Sequence, residues 1–184
     1  MKITIQQLMR AVPSTNRQRA EEFVKVFNEW ADSFGITTPI RAAHFLAQCW
    51  HESGCLRYFE EIASGKAYEW RADLGNTQKG DGVRFKGRGI IQITGRANYQ
   101  AYAKSEFCNG DLMSHPEWLA KSPGAYKSAM WFWWKSGLSA IADQDNGRNS
   151  DEVCRRITRK VNGGTNGLAQ RQYYMRKFKK EFGL

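Results

Sequence analysis

The chain of 184 residues is 41% hydrophobic, enough for one domain whose core needs neither disulfide nor metal staples. Its 28 Lys and Arg against 18 Asp and Glu give a formal net charge of +10, which favours anionic partners: nucleic acid, a lipid surface or an acidic bacterial envelope. The longest apolar run, residues 129–134, is too short to span a bilayer, and residues 1–7 lack the apolar stretch of a secretory signal.

The expectation is therefore a protein held in a cytoplasm until something else releases it. Its four cysteines, Cys49, Cys55, Cys108 and Cys154, show no Cys-x-x-Cys spacing, so reduced thiols are expected, with no metal and no cofactor.

The first predicted element carries Ala20, Phe23, Val24, Phe27, Trp30, Ala31 and Phe34 at three- and four-residue steps, the mark of an amphipathic helix. Thr15 or Asn16 is its cap and Gly35 its stop. Thr38-Pro39 then opens a second helix through Ala42, Phe45, Leu46, Cys49 and Trp50, ending close to Glu52. Residues 64–84, rich in Gly, Lys, Asp and Asn, read as a long flexible surface loop beside a cleft.

Beyond that loop, Gly89 to Thr94 reads as a short β-rich segment and Arg96 to Ser105 as a helix with Tyr99, Tyr102 and Ala103 inward. Ser122-Pro123 starts a helix carrying Tyr126, Ala129, Met130 and Trp133 and stopping at Gly137; the aromatic cluster of residues 131–134 is assigned to the core. Ser150 caps a helix through Val153, Ile157 and Val161, broken by the Asn-Gly-Gly run at residues 162–164. The last helix has an apolar stripe of Tyr174, Phe178 and Phe182 amid Arg171, Arg176, Lys177, Lys179 and Lys180. No repeat or linker interrupts the chain, so residues 1–184 are expected to form a single domain, mainly helical.

Chemistry is suggested by two glutamates nine residues apart, Glu52 and Glu61. Hydrolysis of a sugar-sugar bond needs one protonated carboxyl to donate to the leaving oxygen and one carboxylate to activate water. Glu52 follows Phe45 by seven residues and Cys49 by three, which puts it on the buried face at the negative end of its helix. Burial and dipole both disfavour the ionised form, suiting it to be the general acid. A helix-end glutamate in isolation is more often solvated, and a Glu-Glu pair is more often two surface acids. Ser53-Gly54 lets the chain fold back so that Glu61 faces Glu52, with Glu60 and Glu69 as rivals for the base.

At this point a family resemblance becomes specific. His51-Glu52-Ser53-Gly54, the Glu60-Glu61 pair, the block from Phe85 through Gly87-Arg88-Gly89 to Gln92 and Thr94-Gly95, then Asn98-Tyr99 and Val161-Asn162-Gly163-Gly164 resemble glycoside hydrolase family 19. That family holds plant-type chitinases and related phage endolysins, and it implies a lysozyme-like α+β fold with a small β element at the cleft. The resemblance implies Glu52 as general acid, Glu61 as general base and Thr94 as holder of the attacking water. It further implies that Gln92, Asn98 and Asn162 contact sugar or orient the base, and that Arg171 sets the charge state of the acid. The family inverts, for which the carboxyls stand roughly 6.5–9.5 Å apart. Two departures are local: Ile62 stands where endolysin relatives often have asparagine, and Cys55 where they often have glycine.

The expected activity is cleavage of β-1,4 bonds in bacterial peptidoglycan by a monomeric phage-type endolysin, released from a host cytoplasm to the wall or periplasm. A chitinase on N-acetylglucosamine polymers and a lytic transglycosylase are the enzymatic alternatives. A basic nucleic-acid-binding module is the non-enzymatic one, but no recognition motif supports specific nucleic-acid binding. The basic C-terminal helix is a candidate contact to an anionic envelope.

Overall fold

The computed structural model describes residues 1–184. Nine α-helices carry the fold: α1 (Ile5–Ala11), α2 (Arg17–Trp30), α3 (Pro39–Glu52), α4 (Asp81–Arg84), α5 (Arg96–Ala103), α6 (Gly124–Lys135), α7 (Leu138–Ala142), α8 (Ser150–Asn162) and α9 (Leu168–Glu181). None is long and apolar enough to cross a membrane.

Local chemistry sets the main boundaries. Asn16 accepts from the Arg19 amide to cap α2, and Thr38 accepts from the Arg41 amide just before Pro39 in the first turn of α3. Gly163, with φ 75°, ends α8 in the left-handed position. The helix α1 has no counterpart in the sequence reading, although a reciprocal capping box between Thr4 and Gln7 marks its start.

One core joins the helices. α3 is its axis, buried on most faces, and it packs most extensively against α9. Trp50 of α3 stands edge-on to Phe23 of α2 at 5.4 Å and to Phe178 of α9 at 5.1 Å, and its indole N–H donates to Thr15 at 2.8 Å. Phe45 meets Trp133 of α6 edge-on at 5.6 Å. Trp131 is buried as well, whereas Trp134 is exposed and rests on Phe107.

Three expectations change. The β-rich segment reduces to two isolated bridges, Glu60 with Arg88 and Arg88 with Ile93, because the glycines turn the chain after a single pair. Residues 64–84 are not a structureless loop: they hold 3-10 turns at Lys66–Tyr68 and Ala72–Leu74, and α4. Glu69 accepts from the amides of Gly80 and Gly82, buried Asn76 donates to the Tyr68 carbonyl, and buried Asp81 pairs with Arg96.

The third change concerns the basic helix. Arg171 and Lys179 of α9 are buried rather than wet. Lys179 donates to Asp145 at 2.9 Å and to Ser150 at 2.7 Å, and His44 also meets Asp145 at 2.9 Å. With those donors around it the Asp145 carboxylate is held far below the usual range. Of the basic residues of α9, those that remain wet are Arg176, Lys177 and Lys180.

Candidate active site

The site has two halves, one built on the end of α3 and one on the glycine-rich block. Ser53 closes α3 by donating to the Cys49 carbonyl at 2.7 Å while accepting from the Leu56 amide at 2.9 Å. Gly54, Cys55 and Leu56 then run through positive φ of 56°, 61° and 63°. Three left-handed residues in succession reverse the chain, and two of them carry side chains that resist this conformation. The reversal brings Glu61 back beside the block, where its amide donates to the Gly87 carbonyl at 2.9 Å.

Glu52, at the last turn of α3, is 20% exposed and accepts from Arg171 at 2.5 Å. Arg171 is 1% exposed and its guanidinium forks: a second nitrogen donates to Gln48 at 2.6 Å, and the third reaches the Asn166 carbonyl at 3.3 Å. Gln48, itself buried, passes the network on to Thr158 of α8 at 3.3 Å. Gln48 is not singled out by sequence alone; its signal is a polar residue one turn before Glu52 in the buried stretch of α3. Burial, with Glu52 beside it, pushes the Cys49 thiol well above the ordinary range and leaves it an inert packing group.

The segment after α8 is fastened to this half. Asn162 donates to the Asn166 carbonyl at 3.1 Å and accepts from the Gly164 amide at 2.9 Å, so both ends of its amide hold the loop. His51 meets Gln170 at 2.6 Å, and its ring lies so close to Gly167 that a Cβ there would come within 2.0 Å of it. Desolvation and the nearby Arg171 push the His51 imidazole below its ordinary range, leaving it neutral at neutral pH.

The second half converges on one glycine. A Cβ on Gly87 would stand 2.7 Å from Gln92 Oε1, 3.2 Å from Glu61 Oε2 and 3.2 Å from Thr94 Oγ1, so three of the sequence-predicted side chains meet over its bare backbone. Glu61 accepts from the Gly87 amide at 3.2 Å and from the Tyr68 hydroxyl at 2.9 Å. Burial and the Glu61 hydrogen bond push the Tyr68 phenol up, which keeps it a donor. Tyr68 lies in an irregular segment and nothing in its sequence neighbourhood singles it out.

Gln92 adopts φ 57°, a strained conformation for a residue with a side chain. Its amide nitrogen donates to the Gly89 carbonyl at 3.0 Å, which leaves its oxygen over Gly87. Thr94 donates to the Gln92 carbonyl at 2.8 Å rather than to a carboxylate, so its lone pairs are free to accept from water. Asn98, exposed on α5, donates to the Thr94 carbonyl at 2.9 Å.

The rival acids have other partners. Glu60 pairs with Arg88 at 2.9 Å and Lys86 at 3.3 Å, and Glu69 is the staple at the start of α4. Only Glu61 of the three shares its carboxylate with Thr94 and Gln92 across Gly87.

A Haemophilus influenzae protein described as a glycosyl hydrolase family 19 domain-containing protein is 31% identical over 169 residues, covering 74% of this chain and 78% of that one. The chain belongs to glycosyl hydrolase family 19. It is a glycoside hydrolase. Endochitinase At2g43620 and Endochitinase At2g43610 of Arabidopsis thaliana are 38% and 33% identical, over 71% and 83% of this chain. The chain spans 41% and 50% of the length of those two plant proteins. No protein-family model matches the chain.

Among solved structures, chitinase C from Streptomyces griseus superposes with a TM-score of 0.68 over 98% of this chain and 92% of that one at 21% identity. A bacterial family 19 chitinase gives 0.65 over 99% and 95% at 19% identity. These likenesses establish the fold of this family 19 enzyme: mainly helical, lysozyme-like, with almost no strand.

Proposed function

We infer that this family 19 enzyme hydrolyses β-1,4 bonds between N-acetylated amino sugars of bacterial peptidoglycan, with inversion, as a phage-type endolysin. Glu52 donates the proton to the leaving oxygen, Glu61 activates a water, and Thr94 holds that water. The observation that carries this is the meeting of Glu61, Thr94 and Gln92 over Gly87, with Glu52 held on Arg171 at the other end of the turn. A carboxylate and a hydroxyl sharing one small space is what positions a nucleophilic water. Gln92 and Asn98 have amide oxygens left for sugar groups, while Asn162 acts through the loop it holds.

Peptidoglycan is preferred as substrate on the net charge of +10, since the bacterial wall is anionic and chitin is neutral. The wet Arg176, Lys177 and Lys180 of α9 add a surface for an anionic envelope, reached after release from the host cytoplasm. The second reading, an endochitinase on N-acetylglucosamine polymers, is favoured by the names of the plant relatives.

The test is digestion of purified peptidoglycan and of chitin oligosaccharides by the wild type and by Glu52→Gln, Glu61→Gln and Glu60→Gln. Loss of turnover by at least about 100-fold in the first two, near-normal turnover in the third, and an inverted anomer are expected. Full turnover by Glu52→Gln, or anhydro-sugar products from Glu61→Gln, would overturn the mechanism. Cleavage of chitin alone would leave the second reading.

A further inference from the structure

A cavity of about 290 Å³ lies between residues 102–123 and the start of α6, and none of its lining residues belongs to the candidate active site. Its walls carry the rings of Tyr102, Phe107 and Trp118, and its charged residues are Lys121 and Lys127, with no acidic side chain among them. Both the apolar walls and the one-sided charge are features of a small-molecule site rather than of a packing fault.

Lys127 is the informative residue. It is 4% exposed, and its ammonium lies 3.6 Å from the centre of the Trp30 ring. It has no hydrogen-bond acceptor and makes no ion pair; the Glu29 carboxylate acts on it only at longer range. Desolvation pushes its pKa below the ordinary lysine range. A ring face compensates a partly desolvated cation only in part, and no carboxylate pairs with this ammonium.

Two neighbours pack against the Trp118 ring, which is 39% exposed. His115 stacks on Trp118 at 4.7 Å between centroids with 12° between planes. Gly110 approaches the same indole so closely that a Cβ would stand 2.7 Å from it. A ring already packed by its neighbours has less freedom to lose on binding than an open one.

We propose that this cavity binds a small free carboxylic acid with an aromatic or compact apolar body, its ring against Trp118 and its carboxylate on Lys127. A neutral sugar would leave Lys127 without its anion. A glycan chain would need a longer space than 290 Å³ provides, since that volume is at the lower edge of small-molecule sites.

Cys108 supplies the reporter. It lines the cavity and is partly exposed, whereas Cys49, Cys55 and Cys154 are buried, so alkylation of the native protein reads occupancy at Cys108. The full chain is treated with iodoacetamide at fixed pH in the presence of phenylacetate, of phenylacetamide as its neutral counterpart, and of acetate as charge without ring; modified peptides are quantified by mass spectrometry. With an affinity on the order of 1 mM, ordinary for a ligand of that size, about 10 mM phenylacetate should slow alkylation by about tenfold. Phenylacetamide and acetate should slow it by less than about twofold under the same relation. In Lys127→Met the advantage of acid over amide should vanish; if that variant does not fold, the three wild-type arms decide alone. Equal protection by acid and amide, or none by phenylacetate, overturns the proposal.

Discussion

Arg171 and Glu52 meet at 2.5 Å although 119 residues separate them. The pair ties the last turn of α3 to the first turn of α9, and Gln48 and the Asn166 carbonyl complete the guanidinium's partners. The orientation of the acid therefore depends on the C-terminal helix.

Replacing the guanidinium by an apolar chain tests that dependence. Arg171→Met strips Glu52 and buried Gln48 of their donor at once, and breaking a buried pair by removing one partner costs about 3–5 kcal/mol. Glu52 keeps some water, so the lower end, about 3 kcal/mol, is expected in urea denaturation, together with loss of turnover. A loss under about 1 kcal/mol would show that the network does not hold the fold.

Gly87→Ala separates geometry from stability. Gly87 has no positive φ, so alanine meets no backbone strain there; the added methyl collides with Gln92, Glu61 and Thr94. The closest atom met is the far end of the flexible Gln92 side chain, so the unfolding free energy should fall by less than about 1.5 kcal/mol. Misplacing them by a fraction of an ångström should lower kcat/KM by about 100-fold. Unaltered kinetics would remove Gly87 from the site.

A coupled pair tests how the loop after α8 is fastened. Gly167→Ala adds left-handed strain at φ 69° and a clash with the His51 ring, and should cost about 3 kcal/mol. In a His51→Ala background the clash is gone and about 1–2 kcal/mol of strain remains. Simple additivity of the two substitutions in denaturation experiments would mean the ring and the glycine are not in contact.

The same histidine sets a pH dependence. Burial lowers the His51 pKa in the folded protein below the value of about 6.5 for an exposed imidazole. In the window beneath 6.5 the unfolded chain binds more protons, so stability rises with pH there. The contribution of His51 is complete above about 6.5 and is lost as pH falls through that window. Chemical denaturation of wild type and His51→Gln from pH 7.5 to about 5 should give a steeper decline for the wild type; parallel curves would contradict the burial.

Local rules made much of the helical framework legible from sequence. Thr38-Pro39 opening α3, Asn16 capping α2 and Gly163 closing α8 act within a turn of the residues they control, so their effects are readable in order along the chain. The family motif likewise named Gln92 and Thr94, which sit among the glycines that shape their backbone, and Glu52, two residues before Gly54, whereas Glu61 is held by Gly87 from 26 residues away. By contrast, residues 64–84 gave no periodic signal, since their order comes from Glu69 reaching Gly80 and Gly82 and from Asp81 reaching Arg96.

What the sequence alone determined is thus the helical core, the two candidate carboxyls and the family. Only the tertiary structure decided that Glu60 belongs to Arg88 while Glu61 faces Thr94, and that Arg171 is buried on Glu52 rather than spread on a basic surface. The reason is physical: the partner that compensates a charge lies within a few ångströms in space, and for Arg171 that partner is 119 residues away along the chain.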